Sequence, residues 1–274
     1  MPVDHFLFYS YRLKRLAIIL LLTGFACNSY SQSKVLDQGE ELKYIVYFGF
    51  IKLGEVKIKM SKIENDESKK ICNAIGYIKS YDGVPFVTLN NIFETEMELN
   101  KEQIYSRKFY ATEFKDKDIA KTDYRFNYDS SKVKVIKETN NKIERNETIP
   151  FNKSIRFQDG LSIFYSARLN SFANKNYNIP IFINEGQSSV KYSFNINKDV
   201  VSVGSVDYDI SVIKIAGVAD FTGVFGLTGE FVGWFSDDEY RVPIKAQLNV
   251  LIGSITLELA SYKKANWKPP VFKH

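Results

Sequence analysis

The sequence predicts a mainly β protein: an antiparallel meander forming a strongly curved sheet or open barrel, with one main helix, residues 159–172, packed on it. Three observations lead there. Apolar and polar side chains alternate at period two through most of the chain. Aromatic residues make up 15% of it, with 17 Tyr and 21 Phe, a bias toward pleated, half-buried surfaces. One mid-chain segment departs from the alternation and takes helical spacing instead.

The chain opens on a basic cluster, Arg12, Lys14 and Arg15, followed by the uncharged run Leu16 to Ala26 (LAIILLLTGFA). That run falls short of the roughly 20 apolar residues that cross a bilayer. Basic flank, short apolar run and then small residues is the layout of a secretory leader. Ser29-Tyr30-Ser31 places the expected cleavage after Ser31. The chain is therefore read as a signal peptide (1–31), a single β-rich envelope domain (32–265) and an extended, loosely held C-terminal tail (266–274). Cys27 keeps a second reading open. A cysteine behind an apolar run is where a bacterial lipoprotein carries its lipid, which would anchor the domain to a membrane. The preceding Thr23-Gly24-Phe25-Ala26 departs from the usual Leu-Ser/Ala-Gly/Ala pattern at bulky Phe25.

Within the body, Leu42, Tyr44, Val46 and Phe48 share one strand face, and Val56, Ile58 and Met60 alternate with Glu55, Lys57 and Lys59. Gly49 to Gly54 reads as the turn of this opening hairpin. The alternation returns at Tyr124-Phe126-Tyr128, Tyr192-Phe194-Ile196, Tyr208-Ile210-Val212, Ile244-Ala246-Leu248-Val250 and Ile255-Leu257-Leu259, with Gly253 at the last joint. Such two-faced strands belong in antiparallel sheets. Short polar stretches at 65–70, 100–103, 115–118 and 139–142 supply hairpin loops. Asp159, at an N-cap position, precedes Leu161, Phe164, Tyr165, Arg168 and Leu169 at helical spacing. No Pro/Gly/Ser-rich linker divides the chain there, so one continuous domain is expected.

Composition narrows the function classes. The leader contributes +2 of the formal +5, leaving about +3, a balance that does not suggest nucleic acid as a partner. The two histidines are His5, inside the leader, and His274, the last residue. Ser-His-Asp and Cys-His machinery and His-based metal sites therefore have no residues to use in the body. Cys72 lies among apolar neighbours and reads as a buried, inert thiol. No catalytic residue, cofactor or metal is expected, and no transmembrane helix in the mature protein.

Three features remain as candidate sites. Ser236-Asp237-Asp238-Glu239 is either a cation or acid/base cluster or, preferred here, a solvated hairpin turn. Arg168, on the apolar stripe of the helix, either pairs with a carboxylate or snorkels, or binds an anionic headgroup in a cavity. The glycines at 217, 223, 226, 229 and 233 lack a phosphate-loop context. Gly229 and Gly233 are expected to let a strand bend or pack closely, and Phe221, Phe225 and Leu227 to form an exposed apolar flap.

Several of these residues fall into a pattern. Gly39-Glu40-Glu41-Leu42-Lys43-Tyr44 followed by Leu53-Gly54-Glu55-Val56 resembles the opening hairpin of an exported bacterial family known as domain of unknown function 3108. An Asp-x-x-Ser helix ending in Arg (Asp159, Ser162, Tyr165, Arg168) and a Trp-x-Ser-x-Asp turn leading to Arg-x-Pro (Trp234, Ser236, Asp238, Arg241, Pro243) follow in order. The resemblance implies a periplasmic or surface-facing β domain and brings no activity with it.

The expectation is a non-enzymatic cell-envelope protein, in the periplasm or associated with the outer membrane. It would hold a lipid or other amphipathic ligand between curved sheet and helix. The alternatives are an envelope scaffold without a cavity and, least favoured, a carboxylate-dependent hydrolase using Asp237, Asp238 or Glu239. Candidate ligand or partner contacts are Arg168, Tyr165, Trp234, Asp238 and Arg241, with Cys27 as the lipidation candidate. The partner would be a lipid or another envelope protein.

Overall fold

The structure, a computed structural model, describes residues 34–66, 69–84, 88–100, 103–223, 227–250 and 253–273. The leader and Cys27 lie outside the described residues.

Among the described residues, fourteen strands form one antiparallel sheet. They are β1 (Glu41–Phe48), β2 (Ile51–Asp66), β3 (Lys69–Ser80), β4 (Asn90–Asn100), β5 (Gln103–Lys115), β6 (Asp118–Asn127), β7 (Lys132–Thr139), β8 (Lys142–Pro150), β9 (Asn176–Ile183), β10 (Gly186–Val201), β11 (Ile210–Ala219), β12 (Leu227–Ser236), β13 (Pro243–Val250) and β14 (Ser254–Lys263). The spatial order runs β8 to β1 and then β14 back to β9. Two meanders are thus fused where β1 pairs with β14, Tyr44 opposite Leu259. That pairing makes one continuous sheet of the two halves.

The expected alternation is realised residue by residue. In β1, Leu42, Tyr44 and Val46 are buried while Glu41, Lys43 and Ile45 are only partly so. Register breaks at Lys43/Tyr44, Met60/Lys62 and Glu96/Met97 sharpen the local twist and so help to curl the sheet. Close strand approach needs glycine at two points. A Cβ on Gly54 would lie 2.3 Å from the Lys79 carbonyl oxygen, and one on Gly233 would meet Ile215 at 2.9 Å. The turns at 116–117 and 140–141 fall where the polar stretches placed them, with Asp116, Asn140 and Asn141 at positive φ. The opening turn is tighter than expected: only Gly49 and Phe50 separate β1 from β2.

The single helix of the described residues, α1, spans Ser162–Leu169 and is shorter than the expected 159–172. At its start, Asp159 accepts the backbone N–H groups of Leu161 (2.8 Å) and Ser162 (2.7 Å) from a turn that precedes the helix. The Ser162 hydroxyl accepts the Asp159 N–H in return (2.7 Å). This reciprocal arrangement has the logic of a capping box. At the other end, the Ser171 hydroxyl donates to the Arg168 carbonyl (2.7 Å) and stops the helix.

The tail corrects a second expectation. It is strapped to the sheet rather than loosely held. Trp267 is buried, Ser211 donates to the Pro270 carbonyl (2.8 Å), Phe272 donates to Asp209 (2.8 Å), and Val271 bridges to Ile210.

Candidate functional site

The curled sheet surrounds a cavity of about 670 Å³ that is partly open to solvent. Leu161, Ile163, Phe164 and Ala167 of α1 and the turn before it close one end, and the walls come from both meanders. Ile78, Phe93, Phe109 and Ala111 line one side; Val190, Tyr192, Ile215 and Leu248 line the other. The lining is mostly apolar. Its polar members include a group beside the β9–β10 turn, Thr122, Tyr124, Lys137, Asn184 and Glu185, and others elsewhere on the wall, Asn91, Glu113 and Lys245 among them.

The local reasons are visible in the strands. On β5, alternate positions Phe109, Ala111 and Glu113 face inward, and small Ala111 leaves the space that a larger side chain would fill. On β12, Gly233 lines the cavity between Phe231 and Phe235, its missing side chain making room for that of Ile215. Phe221, expected in an exposed flap, lines the cavity instead. Phe225 lies outside the described residues, as does the side chain of Leu227.

None of the five side chains singled out from the sequence lines this cavity. Four of them build the base beneath α1. Arg168 is fully buried. Its Nη1 and Nη2 both donate to the Glu40 carboxylate, the latter at 3.0 Å. Nε reaches the Arg241 carbonyl (3.1 Å), and Nη2 also reaches the Tyr240 carbonyl (3.1 Å). The Lys264 ammonium lies 2.7 Å from the Glu40 carboxylate and 3.4 Å from Asp37. Burial pushes the Glu40 carboxyl up, but the charge and hydrogen bonds of Arg168 and Lys264 outweigh it and hold the group below its ordinary value. Burial likewise works against the charged Arg168, and Glu40 restores it. Such a bidentate pair leaves no donor set free to capture a headgroup.

Tyr165 lies beside the pair, buried, with no hydrogen-bond partner for its hydroxyl. Burial raises its pKa well above the ordinary tyrosine value. Asp238 serves the turn between β12 and β13. Its Oδ1 accepts the Ser236 hydroxyl (2.8 Å) and the N–H groups of Tyr240 (2.9 Å) and Arg241 (3.1 Å). Its Oδ2 accepts the Trp267 indole N–H (2.8 Å) and so pins the tail. Arg241 pairs with Asp237 (3.1 Å), and Glu239 pairs with Lys34. Trp234 stands apart from the base, its indole donating to Asp199 (3.1 Å).

A cavity was expected between sheet and helix, but the residues that line it were not singled out from the sequence. Its signal lay in the small residues, Ala111, Gly233 and Ala246, at inward positions of otherwise bulky strands. The partner of Arg168 was also missed, although Glu40 stood inside the opening motif.

Sheet, helix and cavity together define an open antiparallel β-barrel plugged at one end by α1. Within that class, the chain belongs to the family described as Protein of unknown function (DUF3108), which matches residues 43–260. Three solved structures are similar in shape. A β-barrel-like protein of domain of unknown function DUF1849 from Brucella abortus is 11% identical, with a TM-score of 0.47 over 84% of this chain and 98% of that one. A protein named as exported, with a YmcC-like fold, from Bacteroides fragilis is 9% identical, with a TM-score of 0.39 over 83% and 97%. A protein named as a lipoprotein from Parabacteroides distasonis is 9% identical, with a TM-score of 0.33 over 83% and 96%. No curated protein matches. The architecture given above rests on the strand pairing, not on these likenesses.

Proposed function

We propose that this chain is an exported, non-enzymatic envelope protein that holds an apolar or amphipathic molecule inside its barrel. The observation that carries the reading is the cavity of about 670 Å³ between sheet and helix, a size typical of ligand pockets. Its apolar walls suit a hydrocarbon chain, and the polar flank around Tyr124, Lys137 and Glu185 suits a headgroup or linker. Export is supported by the basic-then-apolar leader at 12–26. No helix among the described residues is long and apolar enough to cross a membrane.

The non-enzymatic part of the reading is supported by the occupation of the acidic residues. Asp237, Asp238 and Glu239 are each engaged by Arg241, by turn N–H groups and Trp267, or by Lys34. A hydrolase would need a pair of carboxyl groups facing a substrate cleft, and these face structural partners.

The direct test is purification of the protein from native envelopes without detergent exchange, followed by mass spectrometry of the intact complex. A stoichiometric lipid is the expected result. Ligand-free protein that also gains no fluorescence from an apolar probe would overturn the reading. The same spectra report whether the N-terminus begins after Ser31 or at an acylated Cys27.

A further inference from the structure

The barrel does not close through its backbone. β8 and β9 are the two edges of the sheet and share no ladder, so a seam runs down the molecule between them. Its two ends are closed by different means.

Near α1 the seam is well sealed. The Gln158 N–H donates to the Pro180 carbonyl (2.9 Å), and the Phe182 N–H donates to the Gln158 carbonyl (2.8 Å). The Gln158 amide reaches across to the Ile104 carbonyl (2.6 Å). Phe182 then packs its ring against Tyr124 and Phe126, with centroids 5.0 and 5.7 Å apart. Backbone pairing and buried aromatic contact act together here.

Towards the β9–β10 turn the closure rests on side chains, chiefly that of Glu185. Its carboxylate lies 3.4 Å from the Tyr124 hydroxyl, 3.3 Å from the Lys137 ammonium and 3.8 Å from the Arg145 guanidinium. Its N–H donates to the Tyr124 oxygen (3.1 Å), and Gln187 adds one contact to the Pro150 carbonyl (3.3 Å). The two cations are 35% and 40% exposed, so water screens them and the contacts are weak. Glu185 and Asn184 form a tight turn with φ of 56° and 51°, and their release breaks no strand ladder. Tyr124, Lys137, Asn184 and Glu185 also line the cavity, so a gap at this point leads directly into it.

Resting on the cavity reading above, we propose that this end of the seam is a portal that widens the way into the partly open cavity for an apolar ligand, with Glu185 as its latch. The other end cannot serve: α1 covers it, and the buried Arg168–Glu40–Lys264 cluster ties α1 down.

The test uses the neutral apolar fluorophore N-phenylnaphthylamine and stopped-flow mixing. Glu185→Gln and Lys137→Met are expected to raise both association and dissociation rates roughly fivefold, the weight of one weak surface pair. A second variant locks the portal. Lys137→Cys and Asn184→Cys, in a Cys27→Ser and Cys72→Ser background, are joined by a short bis-maleimide. Exchange in the cross-linked protein should slow at least about fivefold relative to the same protein before cross-linking. Binding with rates unchanged by both the substitutions and the cross-link would overturn the portal and leave the cavity reading standing. Absence of probe binding in the wild-type protein would overturn the cavity reading and the portal with it.

Discussion

Arg168 and Glu40, 128 residues apart in sequence, form a buried bidentate ion pair beneath the plug helix. The pair joins α1 to the segment entering β1, and the Tyr240 and Arg241 carbonyls add the β12–β13 turn to the same knot.

Removal of one partner of such a pair leaves an uncompensated buried charge, costing about 3–5 kcal/mol. The two halves of this pair are not equivalent. Arg168→Met leaves Glu40 with Lys264, whereas Glu40→Gln leaves two cations, Arg168 and Lys264, facing a neutral group. Urea unfolding should therefore show the larger loss for Glu40→Gln. The double variant Glu40→Gln/Arg168→Met should lose less than the sum of the two single variants. Strict additivity would mean that the two side chains are not coupled.

The same pair sets an acid limit. Glu40 is held below its ordinary value of 4.5 in the folded protein. Its contribution to stability is thus fully present above the unfolded value and is lost as pH falls through the folded one. Urea midpoints measured downward from about pH 6 should decline below about 4.5, and Glu40→Gln should flatten that decline. An identical slope in both proteins would assign the acid sensitivity to other carboxylates.

Filling the cavity should separate binding from folding. Ala111→Phe places a ring in space lined by Phe93, Phe109 and Leu161. Probe binding should fall at least about tenfold, while stability changes by about 1–3 kcal/mol or less. Titration with an apolar fluorophore alongside a thermal melt reads both.

Cys72 is fully buried, and burial raises its pKa to about 11. A thiol reagent at mildly alkaline pH should react at the rate of protein opening and not at the intrinsic rate of a free thiol. Urea should speed the reaction in parallel with unfolding. Prompt stoichiometric modification of the native protein would contradict the burial.

The tail should prove structural. Trp267 is buried, donates to Asp238 (2.8 Å) and stacks edge-on against Tyr262 at 4.7 Å. Trp267→Ala should cost about 3–5 kcal/mol, typical of a buried aromatic truncation. A chain ending at Ala265 should melt at similarly reduced temperature. An unchanged melting temperature in either case would mean that the strap adds nothing to stability.

Much of the fold was legible in the sequence because strands and turns are local. Period two in 42–48 and 244–250 marks strand faces without reference to anything distant, and Asn140-Asn141 or Gly253 marks a turn from its own backbone needs. Helix ends were less legible. Asp159 was recognisable as a cap, but its bond to Thr95 (2.6 Å) from β4 holds it in a turn ahead of the helix, and no local signal reports that contact.

What the sequence determined by itself was a two-faced antiparallel meander with one amphipathic helix, and a set of polar residues whose roles it left open. Their roles were settled only by tertiary structure. Arg168 became a structural ion pair, Asp238 a turn cap that holds Trp267, and the cavity formed among Ala111, Gly233 and bulky neighbours that no motif distinguishes. The physical reason is register. Pleat periodicity is carried by neighbouring residues, whereas the partner of a buried charge and the space inside a barrel depend on which strands meet when the whole sheet curls. In this chain that closure stops one strand pair short, between β8 and β9.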